Sequence, residues 1–302
     1  MARSAEIAAM RRAIAISAAG LGATSPNPPV GCVVLDPAGR LLGEGYHERK
    51  GEAHAEAHAE AQALAAAGPL AAGATAVVTL EPCNHQGRTP PCRQALIDAN
   101  VRRVVIAVID PTSRGEGGAA GLRAAGIDVE TGVLAGEARV VLAPWLTALK
   151  VRRPAVTWPY MISRHGIAEL PNGMDDARLL RLNADAVLRA DGRFTEATPG
   201  SHGAGILDLK GTLLSANPRA IAASAYEGGV RQLLLGGGLD VAAPFLAAGL
   251  VDRVLVYLPD GTASRTPSAT LPWPLLPPGF AITAAMRLDG VVRIEAQPEE
   301  TI

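Results

Sequence analysis

Two short runs carry residue types that could hold a metal and move a proton: His54-Ala55-Glu56 and, downstream, Pro82-Cys83 followed by Cys92. One imidazole and two thiolates fill three corners of a tetrahedral zinc site and leave the fourth open to water, whose pKa falls from 15.7 to about 7. Such a water can attack a ring carbon that bears an amino group. Ammonia then leaves once a proton has been carried from the water to the departing nitrogen. A glutamate two residues beyond the histidine, not itself a ligand, suits that transfer, which is worth about 10²–10⁴ in rate. The expected chemistry is hydrolytic deamination of a heterocycle.

The first run is internally ambiguous. It reads His54-Ala55-Glu56-Ala57-His58-Ala59-Glu60, so either half could supply ligand and proton carrier, and His58 lies one turn further along the same helical face. Gly51 marks the start of a helix running to Ala67, which puts His54 and Glu56 at its beginning, where loops from other elements converge. These two are the expected pair. A metalloprotease helix would need Glu directly after the first His, and that position is Ala55. The plainer alternative, an Ala-rich helix with solvated His and Glu and two ordinary thiols, requires three elements to coincide by chance.

Eight residues separate the cysteines, Asn84 to Pro91, where the short deaminase signature has two. The insert is polar and turn-rich and reads as a loop folding over the site. Pro90-Pro91 then leads into a helix from Cys92 through Ala99. Around these motifs, a helix over about Ala5 to Ala19 precedes the rigid loop Ser25-Pro26-Asn27-Pro28-Pro29. A hairpin follows, with strands near Val30 to Leu35 and Leu41 to Tyr46 around Asp36-Pro37-Ala38-Gly39. Strands at Ala76 to Leu80 and Arg103 to Ile109 and a helix near Ala119 to Ala125 complete an α/β layer, expected to form a domain over residues 1–145.

The chain has 302 residues, enough for two domains, and a net charge of −1 with 19% charged residues, which gives no electrostatic reason to expect nucleic acid or membrane partners. Arg3, Arg11 and Arg12 alternate with Ile7, Met10 and Ile14 in a helical pattern, unlike a signal peptide. No apolar run approaches membrane-spanning length, and the three cysteines, an odd number, argue against a disulfide framework. A cytoplasmic enzyme with small-molecule partners is expected. Cys32, in the apolar run Val30 to Leu35, reads as a buried strand thiol.

Together these stretches resemble the bifunctional riboflavin-biosynthesis pyrimidine deaminase/reductase family. The resemblance rests on Met10-Arg11-Arg12-Ala13, Thr24 to Gly31, Gly43-Glu44-Gly45-Tyr46-His47, the His54-Ala55-Glu56 segment, and Thr79 to His85 through Gly87 to Cys92, including the eight-residue cysteine spacing. It implies a cytidine-deaminase-like three-layer α/β domain that removes the 2-amino group of a diaminopyrimidinone ribosyl phosphate. It also implies zinc on His54, Cys83 and Cys92, proton transfer by Glu56, and substrate contacts from Asn27, His47, His85 and Arg88. Folds of this type assemble, so a homodimer or larger homo-oligomer is expected.

The second half, residues 151–302, resembles a shortened dihydrofolate-reductase-like α/β domain. Pro154 to Trp158 matches a first strand, and Gln232 to Gly238 followed by Phe245-Leu246 and Gly249 to Asp252 matches a strand, glycine turn and helix that would place Gly237 and Gly238 at NADPH. Three family polar positions differ: Pro159 stands for a lysine, Ser163-Arg164-His165-Gly166 lacks an aspartate, and Gly236 replaces an acidic residue. The expectation is a domain that is reductase in fold and not in activity. The alternatives are an active bifunctional enzyme, in which Arg164 or His165 has taken over, and a paralogue acting on a related pyrimidine.

Overall fold

The computed structural model describes residues 1–49, 58–85, 90–112, 117–163, 165–209, 217–260 and 275–299. The chain divides into two compact units, Met1–Ala143 and Pro144–Ile302. No helix among the described residues is long and apolar enough to cross a membrane.

The first unit runs α1 (Ser4–Ser17), β1 (Gly31–Leu35), β2 (Leu41–Tyr46), α2 (Ala59–Ala67), β3 (Thr75–Leu80), α3 (Cys92–Asp98), β4 (Arg103–Val108), α4 (Gly118–Ala124) and β5 (Asp128–Thr131), and α5 (Ala135–Val151) spans the division between units. Its sheet has the order β2-β1-β3-β4-β5. The hairpin β1–β2 closes through Asp36, whose N–H donates to the Arg40 carbonyl at 2.8 Å while Gly39 N–H returns to the Asp36 carbonyl at 2.9 Å. β1 is antiparallel to β3, and β3, β4 and β5 are parallel, as helical crossovers require.

Every residue of β1 and β3 is buried, which is the burial of strands covered on both faces. Cys32, Val34, Ala76, Val78, Val104 and Ile106 pack against α2, α3 and α4. Helix α1 also lies against β1 and β3 and buries Ala9, Met10 and Ala13.

Helix α1 is fixed by a charged cluster. Glu6 is wholly buried and receives Arg3 at 2.7 Å and Arg103 of β4 at 2.9 Å, and Arg103 continues to Asp128 and Glu130 of β5. Burial works to raise the Glu6 pKa, but hydrogen bonds from the Arg3 backbone and side chain and from Arg103 outweigh it and hold the carboxyl below its usual value. A depressed folded-state pKa stabilises above the unfolded pKa, and that stabilisation is lost as pH falls through the folded value. Glu6→Gln is therefore expected to cost about 2 kcal/mol near neutral pH. Urea midpoints of the two proteins should converge as pH drops below about 4. A gap that stays constant with pH would show that the ion pairs contribute nothing.

The second unit continues with β6 (Ala155–Ser163), β7 (Gly166–Ala168), α6 (Asp175–Leu182), β8 (Ala186–Leu188), β9 (Phe194–Glu196), α7 (Pro218–Glu227), β10 (Gln232–Leu235), α8 (Leu239–Ala247), β11 (Arg253–Pro259), β12 (Phe280–Leu288) and β13 (Val291–Pro298). The sheet order is β12-β13-β11-β6-β10-β8-β9, with β7 paired to β6. Strands β8, β10, β6 and β11 are mutually parallel. Helices α7 and α8 pack on the core of Val156, Trp158, Leu233 and Val254, and α6 packs with Leu255 and Tyr257. The chain leaves β6 toward β8 on one side and later reaches β11 on the other. A reversal of this kind opens a crevice at the carboxyl ends of the strands.

Candidate active site

Helix α2 starts at Ala59, with His58 as its extended N-cap residue (φ −56°, ψ 152°). The expected start near Gly51 is thus corrected: among the described residues, the helix-start position belongs to the second half of the His-Ala-Glu repeat. His54 and Glu56 lie outside the described residues. The donor atoms of His58, Cys83 and Cys92 all fall within 4.8 Å of one another.

Three elements bring them together. His58 is delivered by α2, which is docked on β2 because Gly43 and Gly45 have no side chains. A Cβ on Gly45 would lie 2.7 Å from the Ala59 carbonyl oxygen and 2.8 Å from Ala63 N, and one on Gly43 would lie 2.3 Å from the Ala63 carbonyl oxygen. Cys83 follows β3 and Cys92 opens α3. The Cys92 N–H donates to Cys83 Sγ at 3.2 Å, and the Arg93 N–H donates to the Cys83 carbonyl at 3.2 Å.

These contacts set the charge states. The Cys83 thiol is pulled down to about 4, chiefly by the hydrogen bond from the Cys92 thiol, with His58 assisting against partial burial. Cys92 is pushed up by that same bond and by burial. Glu60, in the first turn of α2, is 3% exposed and lies beside His58, Cys83 and Cys92. Its pKa is raised, mainly by burial, with the positive field of His58 opposing and the charge on Cys83 adding. The Cys32 thiol is buried in β1, and its pKa is raised by burial and then by the charge of Glu60.

The donor set fits zinc. Cys83 Sγ and His58 Nδ1 are 3.8 Å apart, close to the edge of about 3.6 Å of a tetrahedron with ordinary zinc–sulfur and zinc–nitrogen bonds. Two thiolates and one imidazole are a catalytic zinc set, with one position left for water.

The other expected site residues are distributed unevenly. The His47 ring lies parallel to the His58 ring, with centroids 6.1 Å apart and an interplanar angle of 8°. Its Nδ1 is 3.2 Å from the Pro28 carbonyl, an acceptor only, so Nδ1 carries the proton. Asn27, half-buried, sits in the same proline loop, with its N–H donating to Thr24 at 3.0 Å. His85 is exposed, and Arg88 lies outside the described residues. In the second unit Gly237 and Gly238 occupy the turn between β10 and α8.

One residue without an expected role is Glu81, directly before Pro82-Cys83. It is buried, its Oε1 accepts the Ala119 N–H at 2.8 Å, and its Oε2 accepts the Asp110 N–H at 3.3 Å. It thereby ties the Cys83 segment to the start of α4. The sequence signal was a carboxylate beside a ligand, but its partners are backbone groups with no sequence signature. Glu81→Ala is expected to destabilise by about 2 kcal/mol and to weaken zinc about 10-fold in competition with a chelator. Unchanged zinc affinity would limit Glu81 to folding alone.

Comparison with known proteins agrees with this geometry. Residues 3–108 match the cytidine and deoxycytidylate deaminase zinc-binding region. The riboflavin biosynthesis protein RibD of Mycobacterium tuberculosis is 38% identical over 274 residues, which cover 78% of this chain and 80% of that protein. The chain belongs to the RibD family.

RibD of Escherichia coli is 42% identical over 190 residues, covering 59% of this chain and 50% of that one. A diaminohydroxyphosphoribosylaminopyrimidine deaminase/5-amino-6-(5-phosphoribosylamino)uracil reductase from Thermotoga maritima superposes with a TM-score of 0.77 at 25% identity, covering 97% of this chain and 99% of that chain. RibD of Acinetobacter baumannii superposes with a TM-score of 0.73 at 28% identity, with the same coverage. Both units therefore have the RibD fold, and the first is a zinc-dependent deaminase of the cytidine-deaminase type.

Proposed function

We propose that the first unit converts a diaminopyrimidinone ribosyl phosphate and water into the aminouracil ribosyl phosphate and ammonia, with zinc on His58, Cys83 and Cys92 and proton transfer by Glu60. The observation that carries this reading is the convergence of these three donors beside the buried carboxylate.

When bound, zinc supplies a Lewis acid that makes a water nucleophilic at neutral pH. Glu60 takes a proton from the attacking water and passes it to the adjacent ring nitrogen, then carries the remaining hydroxyl proton to the amino nitrogen, so the C–N bond breaks with loss of ammonia as the new C–O bond becomes a carbonyl. A carboxyl whose pKa is raised by burial is suited to holding that proton between the two transfers. Asn27 offers a donor and an acceptor to the ring edge, and His47, stacked beside His58, borders the same space.

Zinc-loaded protein is expected to release one ammonia per substrate, and chelation should abolish the activity until zinc is restored. Ammonia release unaffected by chelation would reject the metal assignment. The match to a bifunctional protein along the whole chain favours a second reading, in which the second unit also reduces the product with NADPH. That reading requires a phosphate-bearing dinucleotide at the Gly236-Gly237-Gly238 turn.

A further inference from the structure

A dinucleotide in a parallel α/β unit sits outside the carboxyl ends of the strands, with its pyrophosphate against a glycine turn and a helix N-terminus. The second unit has a crevice there, of about 240 Å³, lined by Glu169, Arg181, Arg189, Asp191 and Glu196 beside Gly236. Its chemistry does not fit the cofactor.

The glycines of the turn serve the unit's own packing. A Cβ on Gly236 would lie 2.4 Å from Val187 Cγ1, and one on Gly237 would lie 2.7 Å from Val241 Cγ2. Glycine is thus required at these two positions by the close approach of side chains of β8 and α8, whether or not a ligand binds. Only Gly238 faces open space. The first turn of α8 beyond it carries the exposed carboxylate of Asp240, which occupies the favourable end of the helix dipole and repels an incoming phosphate.

Charge in the crevice points the same way. Among the described residues that line it are three carboxylates and two guanidinium groups, and Arg181 already lies 4.0 Å from Glu169. Glu196 accepts the Gly200 N–H at 2.6 Å, and its other oxygen lies 3.5 Å from His202, so this carboxylate is part of the fold. Pro159, in mid-β6, lines a small adjoining pocket with Glu169 and Arg181 and brings no charge to it.

We propose that the second unit takes no nicotinamide dinucleotide phosphate, and that the deaminated product leaves the chain for a separate hydride-transfer enzyme. For the identity of that product the inference rests on the deaminase reading. The product still carries a ribosylamino carbon at the aldehyde oxidation level, so the reaction class that consumes it is a two-electron reduction by an external nicotinamide donor. This chain would then supply the substrate of a reductase rather than contain one.

The test is calorimetric titration of the full zinc-loaded chain with NADPH, alongside mass analysis of the product formed with and without NADPH. The expected result is no saturable binding up to about 1 mM, a ceiling equivalent to about −4 kcal/mol, and a product of identical mass in both reactions. Saturable binding in the micromolar range overturns the proposal whether or not NADPH is oxidised, as does a product that gains two hydrogens. Ammonia release without NADPH is scored in the same reactions. Its absence would count against the deaminase reading alone, because the titration reports on the second unit independently.

Discussion

Glu60→Gln is expected to lower kcat by about 10²–10⁴-fold while the protein keeps its zinc, and Glu56→Gln is expected to leave kcat within about 3-fold of the parent. The isosteric amide retains the volume and part of the hydrogen bonding of Glu60 but cannot cycle a proton. Glu60 is buried in the first turn of α2, beside His58, Cys83 and Cys92, so its loss falls on the chemical step. KM should move much less than kcat, because the carboxylate serves the transition state rather than substrate binding. Metal content by inductively coupled plasma analysis separates a failed proton transfer from a failed site. The reverse pattern, with Glu56 essential and Glu60 dispensable, would return the role to the first half of the repeat.

The second large effect is expected from a residue with no chemistry. Gly45→Val should destabilise by about 3 kcal/mol, at the upper end for overpacking, and should also weaken zinc binding. Even the first atom of the new side chain would stand 2.7 Å from the Ala59 carbonyl oxygen, 2.8 Å from Ala63 N and 2.5 Å from Gln62 Cβ. Two of these are backbone atoms that no rotamer change can remove, so α2 itself must shift, and His58 is its N-cap. Glu44→Ala, on the same strand but paired outward to Arg12 at 2.6 Å, is the control. Because that ion pair is exposed on the Arg12 side, its removal should cost under about 1 kcal/mol. Urea midpoints and a chelator competition measure both quantities. A Gly45→Val protein with parental midpoint and zinc affinity would refute the account of how α2 is placed.

Much of this protein was legible before any coordinates. The apolar runs Val30 to Leu35 and Ala76 to Leu80 became strands buried on both faces, because residues of that kind have nowhere else to go. The turn Asp36 to Gly39 closed the hairpin as its residues imply. In the second half, Gln232 to Leu235 and the glycine turn announced a strand-to-helix unit. The three-residue strands β7, β8 and β9 left no comparable signal, since their pairing comes from neighbours and not from their own pattern.

The sequence by itself determined which residue types would meet: a histidine and a glutamate two apart, and two cysteines behind a proline-flanked loop. It could not determine which histidine and which glutamate. His54-Ala55-Glu56 and His58-Ala59-Glu60 differ by four residues, a shift that preserves both residue type and helical face. The tertiary structure supports the second half, because the close docking of Ala59 and Ala63 on Gly45 sets His58 at the start of α2 and near both cysteines. The same holds for the glycine turn of the second unit. Its letters are those of a phosphate cradle, and only the tertiary structure shows that Val187 and Val241 pack so close to Gly236 and Gly237 that the fold itself calls for glycine there.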